Sequence, residues 1–298
     1  MIYDLRHRTT FSYEDPVTYA RCVLRLTPQS SATQTVLRHS LNVHPRPAHT
    51  TRAIGPFGEK TLTVIIDRPH EELVIESHSR VDVNVPPSGD PAASPPWELV
   101  RAAVFESCDL TPAGPASYLY PTSRTPLLAA ITDYARSSFQ SGRPAMEAAL
   151  DLTRRLHADF KYDPDATTVQ TPALEAFRAR RGVCQDFAHI MICGLRGLGL
   201  PAAYVSGYLR TRPPAGKARL EGAYATHAWV SLWLGEDRGW MAFDPTNAIL
   251  AENDHIVLAV GRDYSDVAPI DGIILDPGEQ TLKVAVDVIP VETEAALA

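Results

Sequence analysis

The 298-residue sequence predicts an α+β protein in which an N-terminal β-sandwich precedes a domain built from a helix packed on an antiparallel sheet. Three observations carry that expectation. From Met1 to about Val85, runs of β-branched and aromatic residues are separated by Pro, Gly and polar clusters, the pattern of short sandwich strands. A proline-rich stretch, 86–96, then breaks the chain. Beyond it, apolar residues first recur at helical spacing and later, past Leu200, alternate with a period of two. The expected units are therefore a sandwich over 1–85, a stiff linker over 86–96, a second domain over 97–290 and a frayed tail over 291–298.

In the first unit, strands are expected at Tyr3–Tyr13, Ala20–Thr27, Thr35–Val43, Lys60–Asp67 and Glu72–Val83. His7, His39, His44, His49, His70 and His78 fall here without metal-ligand spacing, so no metal and no cofactor is expected. The chain opens directly in strand-like sequence, without the charged leader and apolar core of a signal peptide, and no run approaches the roughly 18 apolar residues that span a bilayer. The expected location is cytoplasmic. Four scattered cysteines without a CxxC pair suit that reducing compartment and argue against a disulfide framework or structural zinc. A net charge of −7 argues against a nucleic-acid partner and supplies no basic patch for anionic lipid. No EF-hand-like loop or dense acidic cluster implies calcium.

In the second unit, helices are expected at Trp97–Ser107, Pro126–Phe139 and Ala145–Phe160, each with an apolar stripe. Between them, Tyr118 and Tyr120 are candidates to line a cleft at the domain junction. A short helix, Ala173–Arg180, leads to Gly182 and to the stretch on which the domain is centred. From Cys184, the residues Phe187, Ala188, Ile190, Met191, Leu195 and Leu198 trace a buried helix, which places Cys184 at its N-terminus. Unpaired backbone N–H groups and the helix dipole there favour an anion, so the thiol is a candidate nucleophile and its own N–H a natural oxyanion donor. No second oxyanion donor can be named. Asp186, in the first turn, reads as structural, a candidate partner of Arg180 or Arg181. His189, more than a turn on, should point away from the thiol, and Cys193 reads as inert.

After a strand at Leu200–Leu209 comes a Pro- and Gly-rich loop, 210–224, a candidate lid. Thr226–Leu234 alternates as a strand, Gly235–Gly239 turns, and Trp240–Asp244 forms a second strand stopped by Pro245. Pairing Leu234 with Gly239 sets Trp229 opposite Asp244 and leaves His227 one diagonal step from that carboxylate, about 7–8 Å at Cα. A one-residue slip would separate them. Cys184, His227 and Asp244 can thus supply a nucleophile, a base and an orienter. Trp229, Trp233 and Trp240 share the face of His227 and Asp244, the last two favouring the core. Asn247 is a rival orienter. Closing strands are expected at Ile256–Val260, Ile270–Leu275 and Thr281–Pro290.

Arg180–His189, Ser206–Tyr208, Thr226–Trp229 and Phe243–Asn247, in that order and spacing, resemble the core motifs of the bacterial transglutaminase-like superfamily, whose members are often described as candidate cysteine proteases. The opening segment resembles the β-rich N-terminal region that accompanies this core. The resemblance implies a papain-related α+β core, with Cys184, His227 and Asp244 as a Cys-His-Asp triad acting on a protein or peptide substrate. It leaves the acyl acceptor open: water would make a peptidase or amidase, the expected activity, and an amine a transglutaminase. A non-catalytic binding protein on the same fold is a third reading. Neither membrane nor nucleic acid is an expected partner, and oligomeric state is open.

Overall fold

The computed structural model describes residues 1–211, 226–275 and 278–291. Six strands open the chain: β1 (Ile2–Val17), β2 (Ala20–Leu24), β3 (Gln34–His44), β4 (His49–Ile54), β5 (Lys60–Ile66) and β6 (His70–Val83). Then follow α1 (Trp97–Glu106), α2 (Ala129–Arg136), α3 (Ala145–Asp159), β7 (Lys161–Tyr162), α4 (Ala173–Ala179), β8 (Arg181–Gly182) and α5 (Cys184–Gly197). The chain closes through β9 (Ala202–Leu209), β10 (His227–Trp233), β11 (Trp240–Asp244), β12 (Ile249–Leu250), β13 (His255–Gly261), α6 (Tyr264–Val267), β14 (Ile270–Ile274) and β15 (Gln280–Pro290). The candidate lid falls almost wholly in 212–225 and the tail in 292–298, outside the described residues.

Two four-stranded sheets, ordered β15-β1-β6-β3 and β14-β2-β5-β4, make the sandwich. Its core is the inward half of each alternating strand, including Tyr3, Leu5, Leu24, Val64, Ile66, Leu73, Ile75 and Val81. β4 escapes sequence reading because all six of its residues are exposed, so it carries no alternation.

The expected assignment of all of 97–290 to the second domain is not respected by the last two strands. β15 pairs with β1 from Tyr3↔Pro290 to Tyr13↔Gln280, and β14 pairs with β2. The physical reason is edge satisfaction. Without β15, the 16-residue β1 would present a row of unpaired N–H and C=O groups, and Val286 and Val288 would lose the core they enter. The proline-rich stretch is likewise no free spacer. Pro95 O accepts from Ala145 N at 2.8 Å, and Ser94 Oγ accepts from Met146 N at 3.0 Å, docking it on α3.

The second core lies between the helices and a five-stranded sheet, β12-β11-β10-β9-β13. α5 runs through its middle and is buried from Gln185 to Arg196, as expected of a helix apolar on nearly every side. Arg196 is the buried cation among its polar residues. Its guanidinium donates to the carbonyls of Tyr118, Ala202 and Arg262 and to Thr125 Oγ1, so the buried charge is surrounded by acceptors. Burial lowers its pKa to about 10. Among the described residues, no helix is long and apolar enough to cross a membrane.

Candidate active site

Cys184 is the first residue of α5 and remains partly exposed, whereas the helix is buried from Gln185 to Arg196. Its place is secured from both sides. Asp186 Oδ2 accepts from Val183 N at 2.8 Å and from Thr167 Oγ1 at 2.6 Å, closing the helix start. A Cβ on Gly182 would collide with that carboxylate, so the chain can enter the helix here only as glycine. Asp186 does not hold an arginine as expected. Arg180 instead lies over the rings of Tyr134, Phe160 and Phe177, and Arg181 approaches Asp163 at 3.9 Å.

The β10–β11 register is the one the alternation predicts: Val230 pairs with Phe243, Trp233 with Trp240, and Leu234 N donates to Gly239 O at 2.8 Å. His227 Nε2 is 2.8 Å from Asp244 Oδ2. The Cys184 thiol is near enough to the same imidazole to interact with it electrostatically. With Nε2 committed to Asp244, Nδ1 is the nitrogen left for the thiol. Burial alone would lower the His227 pKa; hydrogen bonds to Asp244 and Cys184, and their charges, outweigh it and raise the value to about 10. Burial would raise the Asp244 pKa, but hydrogen bonds from His227, His255 and Asn247 hold it well below the usual carboxylate range. The structure thus brings together all three residues expected to act.

Asp244, 0 % exposed, is the hub. Oδ1 accepts from the backbone N–H groups of Thr246 and Asn247 at 3.0 and 3.2 Å. Oδ2 is contacted by His227, by Asn247 Nδ2 at 2.7 Å and by His255 Nε2 at 3.1 Å. Asn247 therefore steadies Asp244 rather than replacing it. His255 was not anticipated. It begins β13, three strands from β11, and in a flat sheet about 14 Å would separate them at the usual strand spacing. A 3.1 Å contact requires the sheet to curl. The bulge between Val257 and Ala259 and the bare Gly207 permit this: the space a Gly207 side chain would need is filled by the Trp229 ring. Trp229 then packs edge-on against His255, centroids 5.1 Å apart, and 6.0 Å from His227.

The remaining candidates sort clearly. His189 is buried against Tyr204 and accepts from Tyr264 N at 3.3 Å, and burial lowers its pKa to about 4. Burial pushes the Cys193 thiol up to about 12. Trp233 joins the core, while Trp240 is half-buried and donates to Ala113 O at 2.7 Å. Tyr118, packed at 5.1 Å on Trp240, lines with Trp229 a cavity of about 520 Å³ between the sheet and the sandwich, as its sequence position suggested; Tyr120 is exposed. Among the described residues, His227, Asp244 and His255 have donor atoms that converge closely enough to hold a metal.

Comparison with known proteins agrees with this architecture. The profile of the bacterial transglutaminase-like N-terminal region matches residues 3–82, and that of the transglutaminase-like superfamily matches 132–245. An uncharacterized protein of Mycobacterium tuberculosis is 39% identical over 98% of this chain and 94% of its own length. The protein-glutamine gamma-glutamyltransferase of Pseudomonas aeruginosa is 34% identical over 37% of this chain and 19% of its own length. The crystal structure of a candidate cysteine protease from Cytophaga hutchinsonii superposes with a TM-score of 0.74 at 19% identity, covering 98% of this chain and 92% of that one, and shares the fold. An N-terminal region and a core matched in sequence, with an overall fold matched in structure, place this chain in the transglutaminase-like superfamily.

Proposed function

We propose that the protein is a cysteine-dependent amide hydrolase acting on protein or peptide substrates through a Cys184 thioester. The observation that carries this reading is the partly exposed Cys184 at the start of a buried helix, with His227 held between it and the buried Asp244. In the first half-reaction, sulfur, its proton already held on His227 Nδ1, attacks the amide carbon as a thiolate. The Cys184 N–H, oriented by the helix start, meets the developing oxyanion. The tetrahedral adduct collapses as His227 returns the proton to the departing amine, leaving a thioester. In the second, His227 takes a proton from water, hydroxide adds to the thioester, and the carboxylic acid leaves as the thiol is restored. Asp244 fixes the imidazole orientation and balances its charge throughout.

Acyl transfer to an amine is a second reading, favoured by the similarity to the Pseudomonas aeruginosa glutamyltransferase. Both share every step up to the thioester. Intact-mass analysis separates them: wild type and Cys184→Ala are incubated with glutamine-containing peptides and a labelled primary amine. New peptide termini, made by wild type alone, are expected. Amine incorporation with ammonia loss would establish transfer instead, and identical products from both proteins would overturn catalysis at Cys184.

A further inference from the structure

We propose that His227, Asp244 and His255 form a site for a zinc-like divalent transition metal, bound through the Nε2 atom of each imidazole and the Asp244 carboxylate. The three donor atoms lie within 4.8 Å of one another. Both imidazole nitrogens already converge on Asp244 Oδ2, at 2.8 and 3.1 Å. Ligands about 2.0–2.1 Å from a tetrahedral zinc sit roughly 3.3 Å apart, so insertion asks each imidazole nitrogen to draw back from Asp244 Oδ2 by only a few tenths of an ångström. Two imidazoles and one carboxylate are also the donor set that suits such ions while leaving a fourth position for water.

The surroundings meet the other requirements. The carboxylate is oriented by two backbone N–H groups on Oδ1, and the His255 ring is fixed by Trp229, so the ligands are held before any ion arrives. Access exists as well, because His255 and Asn247 border an open cleft of about 770 Å³ that also carries Glu252. Cys184 lies outside the converging set, which separates this site from ordinary metal capture by a thiolate.

The consequence for catalysis rests on the function proposed above. An ion on His227 Nε2 requires the imidazole hydrogen to sit on Nδ1, the nitrogen facing Cys184. In that tautomer the ring cannot take the thiol proton, so the bound metal turns the nucleophile off, and removing it restores the base.

Cobalt(II) titration of the chelator-treated full-length protein tests the site without reference to turnover. One equivalent is expected to give visible d–d bands that persist in Cys184→Ala and show no sulfur-to-cobalt charge transfer. His255→Gln is expected to weaken binding by at least about a hundredfold, since even the loss of a group behind a ligand costs ten- to a hundredfold. If His255→Gln does not fold, His227→Gln, whose side chain is less deeply buried, reads the same ligand set. A charge-transfer band lost in Cys184→Ala together with unchanged binding in the histidine variants, or no saturable binding at all, would overturn the proposal. Zinc inhibition of wild-type turnover, reversed by chelator, reads the catalytic consequence separately. A protein without turnover but with the cobalt spectrum would sink the hydrolase reading alone, and uninhibited turnover with the spectrum intact would sink the tautomer switch alone.

Discussion

Cys184 stands at the start of α5, partly exposed and only at the margin of the core, so its loss should affect chemistry far more than folding. Cys184→Ala is expected to abolish turnover while leaving the thermal midpoint nearly unchanged, checked by peptide hydrolysis and calorimetry. Asp244 is the opposite case. Asp244→Asn should lower kcat on the order of ten-thousandfold, because the amide no longer fixes the imidazole tautomer. The raised His227 pKa also has a sign. A histidine whose folded pKa lies above its unfolded value of about 6.5 stabilises the fold fully below that pH, and the contribution is lost as pH rises through about 10. The imidazolium partner of the thiol is lost over the same interval. A descending limb of kcat/KM near pH 10, shifted toward neutrality in Asp244→Asn, is therefore expected, and a limb unmoved by the substitution would contradict the assignment of Asp244.

Among the elements, α5 has two buried polar anchors and one buried titratable ring. Replacing Arg196 with Met would leave three carbonyls without their donors, at a cost of about 3 kcal/mol or more, which chemical denaturation will measure. His189 on α5 and His7 on β1 both have pKa values lowered to about 4 by burial. Here the unfolded chain binds protons that the folded chain refuses. Stability is thus complete above about pH 6.5 and falls as pH drops toward 4, by up to about 3 kcal/mol for each residue. The urea midpoint at pH 4.5 should fall well below that at pH 7.5, and His189→Asn should flatten the dependence.

For the molecule as a whole, the sandwich is assembled from both ends of the chain. A fragment ending at residue 85 lacks β14 and β15 and exposes two strand edges, together with the apolar face that Val286 and Val288 cover. It is expected to be rapidly proteolysed and to show no cooperative melt, whereas adding 270–291 through a flexible linker should restore one. The two cores are also joined, since Tyr208, Ile256 and Leu258 of the curled sheet pack into the sandwich and Tyr208 Oη lies 2.9 Å from His7 Nδ1. The sandwich is in this sense the support on which the strands of the candidate site are held.

Local chemistry was legible from residues near one another in the chain. The 3.6-residue period announced α5 and put Cys184 at its start, and strict alternation around a short turn set the register that joins His227 to Asp244, because side chains in strands change face at every residue. What escaped depended on contacts that no local pattern encodes. β4 has no buried face, Asp186 bonds the Val183 backbone and the distant Thr167 although Arg180 and Arg181 lie far nearer in sequence than Thr167, and β14 and β15 return across more than 200 residues to complete β2 and β1. His255 is the clearest instance. Periodicity can place it at the head of a strand, but only the curl of a five-stranded sheet, allowed by a bulge and by Gly207, carries its imidazole across three strand spacings to the Asp244 carboxylate.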